Sequence, residues 1–182
     1  LVQGNKVGTD TTGTEAIGNT WVGILIGHVS GNTIKANLVS SNNTGINIYG
    51  EGANGNSIVG NLVGTDVTGT LDLGNTADGI TIDGVANNTI GGIEPGAGNL
   101  VSGNNDDGIA IQNSGATGNI VQGNIIGMDV TGEVSLANGV AGVRIMGTSN
   151  NQITDNRISG NLGDGVVIHS SGFSASSIRS SY

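Results

Sequence analysis

The repeat that decides the fold is clearest over residues 56–70, which have the sequence NSIVGNLVGTDVTGT. Two short aliphatic segments each follow an Asn, and a Gly separates them, so neither segment is long enough to be a helix. The pattern Asn-x-(Ile/Val) recurs at spacings of 24, 32, 31 and 32 residues. The Asn that opens this pattern, the first Asn of each unit, is Asn32, Asn56, Asn88, Asn119 and Asn151. A recurrence of this length is typical of repeat architectures.

Each unit contains two further segments of the same kind. A second Asn-x-(Ile/Val) begins at Asn5, Asn37, Asn61, Asn99, Asn124 and Asn156. A third segment, Gly-(Ile/Val)-x-Ile, begins at Gly23, Gly45, Gly79, Gly108, Gly142 and Gly165. Three extended segments per unit, separated by Gly and Asn turns, predict a solenoid with three strands per turn. We expect a single domain over 1–182, with turns starting near 1, 31, 55, 87, 118 and 150, and a Ser-rich terminal segment over 170–182.

Alternation along the strands predicts four inward aliphatic side chains in each of about six turns. All are β-branched, and such residues pack well on a pleated, buried face. The predicted inward residues are Val2, Ile34, Ile58, Ile90, Val121 and Ile153 in the first strands, Val7, Val39, Val63, Val101, Ile126 and Ile158 in the second, and Ile24, Ile26, Ile46, Ile48, Ile80, Ile82, Ile109, Ile111, Val143, Ile145, Val166 and Ile168 in the third. The repeated Asn amides are expected to hydrogen-bond to the Asn one turn away.

Composition and charge exclude several classes of protein. The 182 residues include 35 Gly, 24 Asn, one Pro and no Cys, which excludes collagen and any disulfide or Cys-based zinc scaffold. A net charge of −9 disfavours nucleic acid, anionic membrane surfaces and polyanionic sugars as partners. The longest apolar run, over residues 22–26, is far shorter than the ~20 residues that span a bilayer. We therefore expect no nucleic-acid partner and no membrane insertion, and interpret the chain, which opens without a signal peptide, as a mature or excised fragment.

The aligned columns resemble the right-handed parallel β-helix repeat family, the solenoid shared by pectate-lyase-like proteins. More narrowly, residues 60–75 resemble a repeat common in large bacterial extracellular proteins, and residues 4–19 and 123–138 follow a similar pattern. The resemblance covers nearly the whole chain. It implies an all-β, single-stranded, right-handed parallel β-helix, and an extracellular or cell-surface location.

Long and short loops alternate along the chain. From the second Asn to the third-strand Gly the distances are 18, 8, 18, 9, 18 and 9 residues. Turns stacked ~4.8 Å apart would place the three long loops roughly 9.6 Å apart on one edge. Equivalent aspartates in these loops are Asp10, Asp66 and Asp129. They either bind calcium, the one cofactor that we consider, or close their own Asx-type turns. The matching Thr12, Thr68 and Thr131 raise an ice-binding alternative, but they recur only on every second turn.

The strongest catalytic candidates are Asp78, Asp106 and Asp107, which lie beside the third-strand Gly residues of adjacent turns. Such carboxylates form an acid and nucleophile pair, a cation site, or a solvated turn. We expect no Lys or Arg beside them and no aromatic platform for a sugar nearby. His28 and His169 each follow a third strand about five turns apart, so they are expected not to act together.

One outward column of the second strands is apolar in its middle: Lys6, Leu38, Leu62, Leu100, Ile125 and Arg157. We expect the long loops to cover it, with Ile17, Leu73 and Leu136 as lids, or a partner to bind there. The chain begins inside a first strand and stops after another, at Ser177 and Ile178, so both solenoid edges are expected to be unpaired.

Two hypotheses for function follow. The first is a non-enzymatic extracellular structural or adhesive module, either excised from a longer solenoid or stacking end to end with itself into a filament. The alternative is a polysaccharide-active enzyme, a hydrolase or lyase, or a carbohydrate-binding β-helix that uses the cluster of Asp78, Asp106 and Asp107.

Overall fold

The computed structural model describes residues 1–169 and 177–179, and these residues form β-strands and turns without an α-helix. This part of the chain contains no helix with the length and apolarity to cross a membrane. The strands of the first three turns are β1 (Val2–Gln3), β2 (Lys6–Val7), β3 (Val22–Gly27), β4 (Thr33–Lys35), β5 (Leu38–Val39), β6 (Thr44–Tyr49), β7 (Ser57–Val59), β8 (Leu62–Val63) and β9 (Ile80–Asp83). The later strands are β10 (Thr89–Gly91), β11 (Leu100–Val101), β12 (Ile109–Gln112), β13 (Ile120–Gln122), β14 (Ile125–Ile126), β15 (Val143–Met146), β16 (Gln152–Thr154), β17 (Arg157–Ile158), β18 (Val166–His169) and β19 (Ser177–Arg179).

Every third strand joins the same sheet. The first sheet has the order β1-β4-β7-β10-β13-β16-β19, the second β2-β5-β8-β11-β14-β17, and the third β3-β6-β9-β12-β15-β18. All neighbouring strands pair in parallel, as at Ile90 with Val121 in the first sheet. This confirms the predicted all-β parallel β-helix of six turns with three strands each. The right-handed sense and the single-domain boundary at 1–182 stay predictions, and 170–176 and 180–182 lie outside the described residues.

The predicted inward columns form the core. They are buried throughout the middle turns and join into one continuous cluster. On the outermost turns Val2, Val7, Ile158 and Val166 are only partly buried, and Ile168 is 38% exposed. Ile168 keeps its predicted register with the inward Ile145, and it is exposed because β18 is the edge strand of the third sheet. A further buried column, which the repeat pattern did not reveal, precedes each first Asn by three residues: Ala53, Val85, Ala116 and Thr148.

Three ladders of Asn side chains hold the corners of the solenoid. Within the second-Asn ladder, Asn61 Nδ2 donates to Asn99 Oδ1 at 2.9 Å, and Asn99 Nδ2 donates to Asn124 Oδ1 at 2.9 Å. The ladder at the first Asn has the same geometry, so the predicted Asn bonding between turns is confirmed. A third ladder, which the repeat pattern did not predict, lies shortly before the third strand: Asn19, Asn42, Asn75, Asn104, Asn138 and Asn161.

The long loops fold over the outward apolar column of the second sheet, as expected. Leu38 and Leu100 are each only 4% exposed. Their cover is loop backbone, since a methyl group added at Gly13 would lie 2.9 Å from Leu38 Cδ2, and one at Gly69 equally close to Leu100 Cδ2. The expectation of Ile17 as a lid was wrong, because its side chain is 66% exposed. The other two expected lids, Leu73 and Leu136, are half-buried.

The three long loops contact one another instead of standing roughly 9.6 Å apart. The N–H of Val67 donates to the carbonyl of Gly13 at 2.9 Å, and the N–H of Val130 donates to the carbonyl of Gly69 at 2.9 Å. Each loop leans over the short-loop turn between them. The three long loops therefore form one continuous layer along the second sheet, and not the separate loops that were expected.

Candidate functional site

The three candidate carboxylates meet at the start of the third-sheet strands. Backbone bonds stack the turns there, since the N–H of Gly79 donates to the carbonyl of Asp107 at 2.9 Å. The glycines are required, because a methyl group at Gly79 would lie 2.7 Å from the carbonyl oxygen of Gly108. The backbone thus turns into β9 and β12 with an Asp immediately before the glycine that leads into each strand. One oxygen from each of Asp78, Asp106 and Asp107 lies within 4.8 Å of the others.

Asp78 is held between its own strand and the next turn. Its Oδ1 accepts the N–H of Asp107 at 3.1 Å, and its Oδ2 accepts the hydroxyl of Thr81 at 3.0 Å. Burial raises the pKa of Asp78 to about 6, against the hydrogen bonds from Thr81 and Asp107 that lower it. The negative charges of Asp107 and Asp106 raise the pKa further. Asp78 is therefore a carboxyl group that carries a proton in mildly acidic solution.

Arg144 lies beside the carboxylates, and the expectation of no basic neighbour was wrong. Its Nε contacts Asp107 Oδ2 at 2.8 Å, and its Nη2 contacts Asp107 Oδ1 at 2.9 Å. A longer contact of 3.6 Å joins Nη2 to Asp106 Oδ1. Arg144 faces outward from β15 opposite Ala110 of β12, and this small neighbour leaves room for the guanidinium to reach back one turn. Arg144 and Asp107 are 37 residues apart in sequence, and the repeat pattern did not predict their contact.

Asp107 is the most enclosed carboxylate of the three, with a side chain only 3% exposed. Burial raises its pKa, and this effect exceeds the lowering by the N–H of Ala141 and by Arg144. Both carboxylate oxygens are engaged, because Oδ1 also accepts the N–H of Ala141 at 3.0 Å. The side chain of Asp106, in contrast, is 49% exposed. Asp106 is thus the most accessible of the three, Asp78 is half-buried with both oxygens hydrogen-bonded, and Asp107 positions Arg144.

The loop aspartates close their own turns. Asp10 Oδ1 accepts the N–H groups of Gly13, Thr14 and Glu15 at 2.8–3.1 Å. The hydroxyl of Thr12 and these N–H groups hold the pKa of Asp10 well below its usual range. Asp66 and Asp129 make the equivalent bonds. At Asp66 burial raises the pKa, but the hydrogen bonds outweigh it and the net pKa is lowered. Calcium binding by this column stays a prediction.

Other candidate groups lie apart from the carboxylates. His28 follows β3 and packs edge-on against Tyr49 with ring centroids 5.3 Å apart. His169 ends β18 at the opposite edge of the same sheet, as expected. A groove of about 570 Å³ lies on the second sheet beside Leu62 and Ile125. None of the three clustered carboxylates lines this groove.

Comparison with known proteins identifies a similar fold. A crystal structure of a double mutant of the periplasmic alginate epimerase AlgG matches 93% of this chain with a TM-score of 0.60 and 20% sequence identity. The chain spans 39% of the length of that protein. At this identity the likeness shows the parallel β-helix alone. No protein-family model matches the chain, and no curated protein does.

Proposed function

We propose that this chain acts on a polysaccharide bound across the outer face of the third sheet. The observation that carries the proposal is the adjacent pair of carboxyl groups at Asp78 and Asp106, the first half-buried and protonated at mildly acidic pH, the second exposed beside Arg144. Retaining glycosidases use two carboxyl groups about 5–5.5 Å apart. Here one oxygen from each carboxylate lies within 4.8 Å of the others, so the groups are close enough for such a pair.

The surroundings of each carboxyl group assign its role in the proposed reaction. Asp78 donates its proton to the glycosidic oxygen while the bond from that oxygen to the anomeric carbon breaks. The Asp106 carboxylate bonds to the anomeric carbon and forms a glycosyl intermediate. Water then attacks the anomeric carbon and displaces Asp106, while a proton from that water passes to Asp78. Asp107 stays paired with Arg144, whose Nη2 lies 3.6 Å from Asp106 Oδ1 and orients that carboxylate.

The fold comparison supports a polysaccharide ligand. The similar β-helix belongs to a periplasmic alginate epimerase, so the comparison supports the broad class of ligand, a polysaccharide, and not its charge. By the same analogy we propose that this chain works outside the cytoplasm. The cluster also offers three carboxylates to a hard cation such as calcium, so calcium stays a prediction at this position too.

Release of reducing sugar from a panel of neutral and acidic polysaccharides tests the proposal. D78N and D106N are expected to lower the rate by about 100-fold or more. The matched control is D83N, because Asp83 ends β9 on the same sheet and bonds to Asn113 outside the cluster. Turnover that survives both substitutions, or no turnover across the panel, would contradict hydrolysis at this site.

The hypothesis of a non-enzymatic structural or adhesive module that stacks end to end stays a prediction. The edge strands of the three sheets offer the backbone groups that such stacking needs. Electron microscopy of purified protein checks it, with fibres expected if stacking occurs and separate particles if it does not.

A further inference from the structure

We propose that Trp21 is a stacking subsite for one ring of an uncharged polysaccharide that runs along the solenoid axis toward Asp106. This inference rests on the proposed function and extends it to the substrate path. Trp21 is the single tryptophan of the chain, and its side chain is 77% exposed. Tryptophan is enriched in binding surfaces because its ring offers a large apolar face and its N–H a hydrogen-bond donor.

Backbone register places Trp21 in the same column as the carboxylate cluster. The carbonyl of Trp21 accepts the N–H of Asn43 at 2.9 Å, and the carbonyl of Asn43 accepts the N–H of Ala77 at 2.8 Å. The carbonyl of Ala77 then accepts the N–H of Asp106 at 3.3 Å. Trp21 and Asp106 are therefore three turns apart on one face, a separation of about 14 Å at the spacing of stacked strands.

The surface between these two residues offers polar partners for a sugar. Asn43 and Thr76 are exposed, and Asn43 Nδ2 donates to the Thr76 hydroxyl at 3.2 Å. An amide and a hydroxyl group both donate and accept hydrogen bonds, as the hydroxyl groups of a sugar require. A pyranose ring is about as long as the spacing between turns. Roughly one ring per turn would therefore extend from Trp21 to Asp106 along the column.

The negative charges along this path favour an uncharged polysaccharide. Arg144 is already bonded twice to Asp107, so it supplies little free positive charge to the path. The chain carries a net charge of −9, and Asp78 and Asp106 lie at the end of the path. A polyuronate would be repelled there. The indole face, with its partial negative charge, instead favours the C–H face of a neutral sugar ring.

Affinity electrophoresis in gels that contain neutral polysaccharides or a polyuronate measures binding without using the tryptophan signal. W21A is expected to weaken retention by the bound neutral polysaccharide roughly three- to tenfold, with partial recovery in W21F. I17A is the matched control, because Ile17 is also highly exposed, at 66%, but lies in a long loop. It is expected to bind as the wild type does.

Tryptophan fluorescence provides the second readout. Saturating the wild type with the bound neutral polysaccharide is expected to shift the emission of Trp21 to shorter wavelength and to reduce its quenching by acrylamide. If D106N weakens binding while W21A does not and the emission stays unchanged, the subsite is wrong and the proposed function stands. Stronger retention by the polyuronate would overturn the charge assignment. If no polysaccharide retains the wild type, both the subsite and the proposed function fail.

Discussion

Substitution of Asn99 by Ala perturbs the middle of the buried second-Asn ladder. The Asn99 amide donates to the Ile58 carbonyl and to Asn124 Oδ1, both at 2.9 Å. Its Oδ1 accepts both the N–H and Nδ2 of Asn61 at 2.9 Å. Asn99 is only 1% exposed, so water cannot replace these partners without opening the corner. N99A therefore removes four buried hydrogen bonds.

The expected cost follows from those bonds. At about 1 kcal/mol for each, with a further cost where the backbone N–H of Asn61 loses its acceptor, N99A should lower the free energy of unfolding by about 4 kcal/mol. The control is N5A, because Asn5 belongs to the same column but is exposed at the first turn and donates only two side-chain bonds. N5A should cost about 1 kcal/mol or less.

Urea unfolding followed by far-ultraviolet circular dichroism measures both variants. Because a solenoid can lose its end turns first, the comparison also uses amide exchange in the central strands. If N99A is no less stable than N5A, and the central strands exchange at the wild-type rate, the ladders do not stabilise the solenoid.

Three further predictions concern the glycines, the pH and the loops. G64A should cost about 3 kcal/mol or more, because Gly64 has a φ of +88° and an added methyl would lie 2.2 Å from a carbonyl oxygen of the next turn. G55A, with a positive φ but open space, should cost only about 1 kcal/mol, and equal thermal stability of the two would contradict this. The native state binds the Asp78 proton more tightly than the unfolded chain does, so stability should fall as the pH rises from about 4 through about 6. The urea midpoint of D78N should fall less than that of the wild type over the same pH range. An equal fall in both would contradict the raised pKa of Asp78. D66A should speed amide exchange in the loop that Asp66 closes, whereas D72A, which loses a single bond to Gly74, should not; similar exchange in both would argue against closure by Asp66.

The fold was predictable because it follows from local periodicity. The columns of Ile and Val residues and the first two Asn ladders recur at constant positions in each unit, so each residue could be assigned a side of the strand. The third ladder was equally regular, but Asn42 lies three residues before its third-strand Gly, whereas the other members lie four before theirs. The irregular position of Asn42 therefore concealed the third ladder in the sequence pattern.

The candidate site was predictable only in part. The stacking of Asp78 and Asp107 follows from their shared place in the repeat. The ion pair between Arg144 and Asp107 does not, because it depends on a long side chain that crosses to the next turn. The cover over Leu38 was expected, but it comes from loop backbone and not from the lid side chains. Contacts that depend on side-chain reach or on loop direction are not encoded in the repeat.

The most direct test of polysaccharide binding on the third sheet is amide chemical-shift mapping during titration with an oligosaccharide of the bound polysaccharide. The largest changes are expected at Asn43, Ala77 and Asp106, whose backbones form one column on that face. The loop residues Thr12 and Thr68, on the other side of the solenoid corner, should be unchanged. Changes confined to those loops, or none at a saturating concentration, would contradict the account.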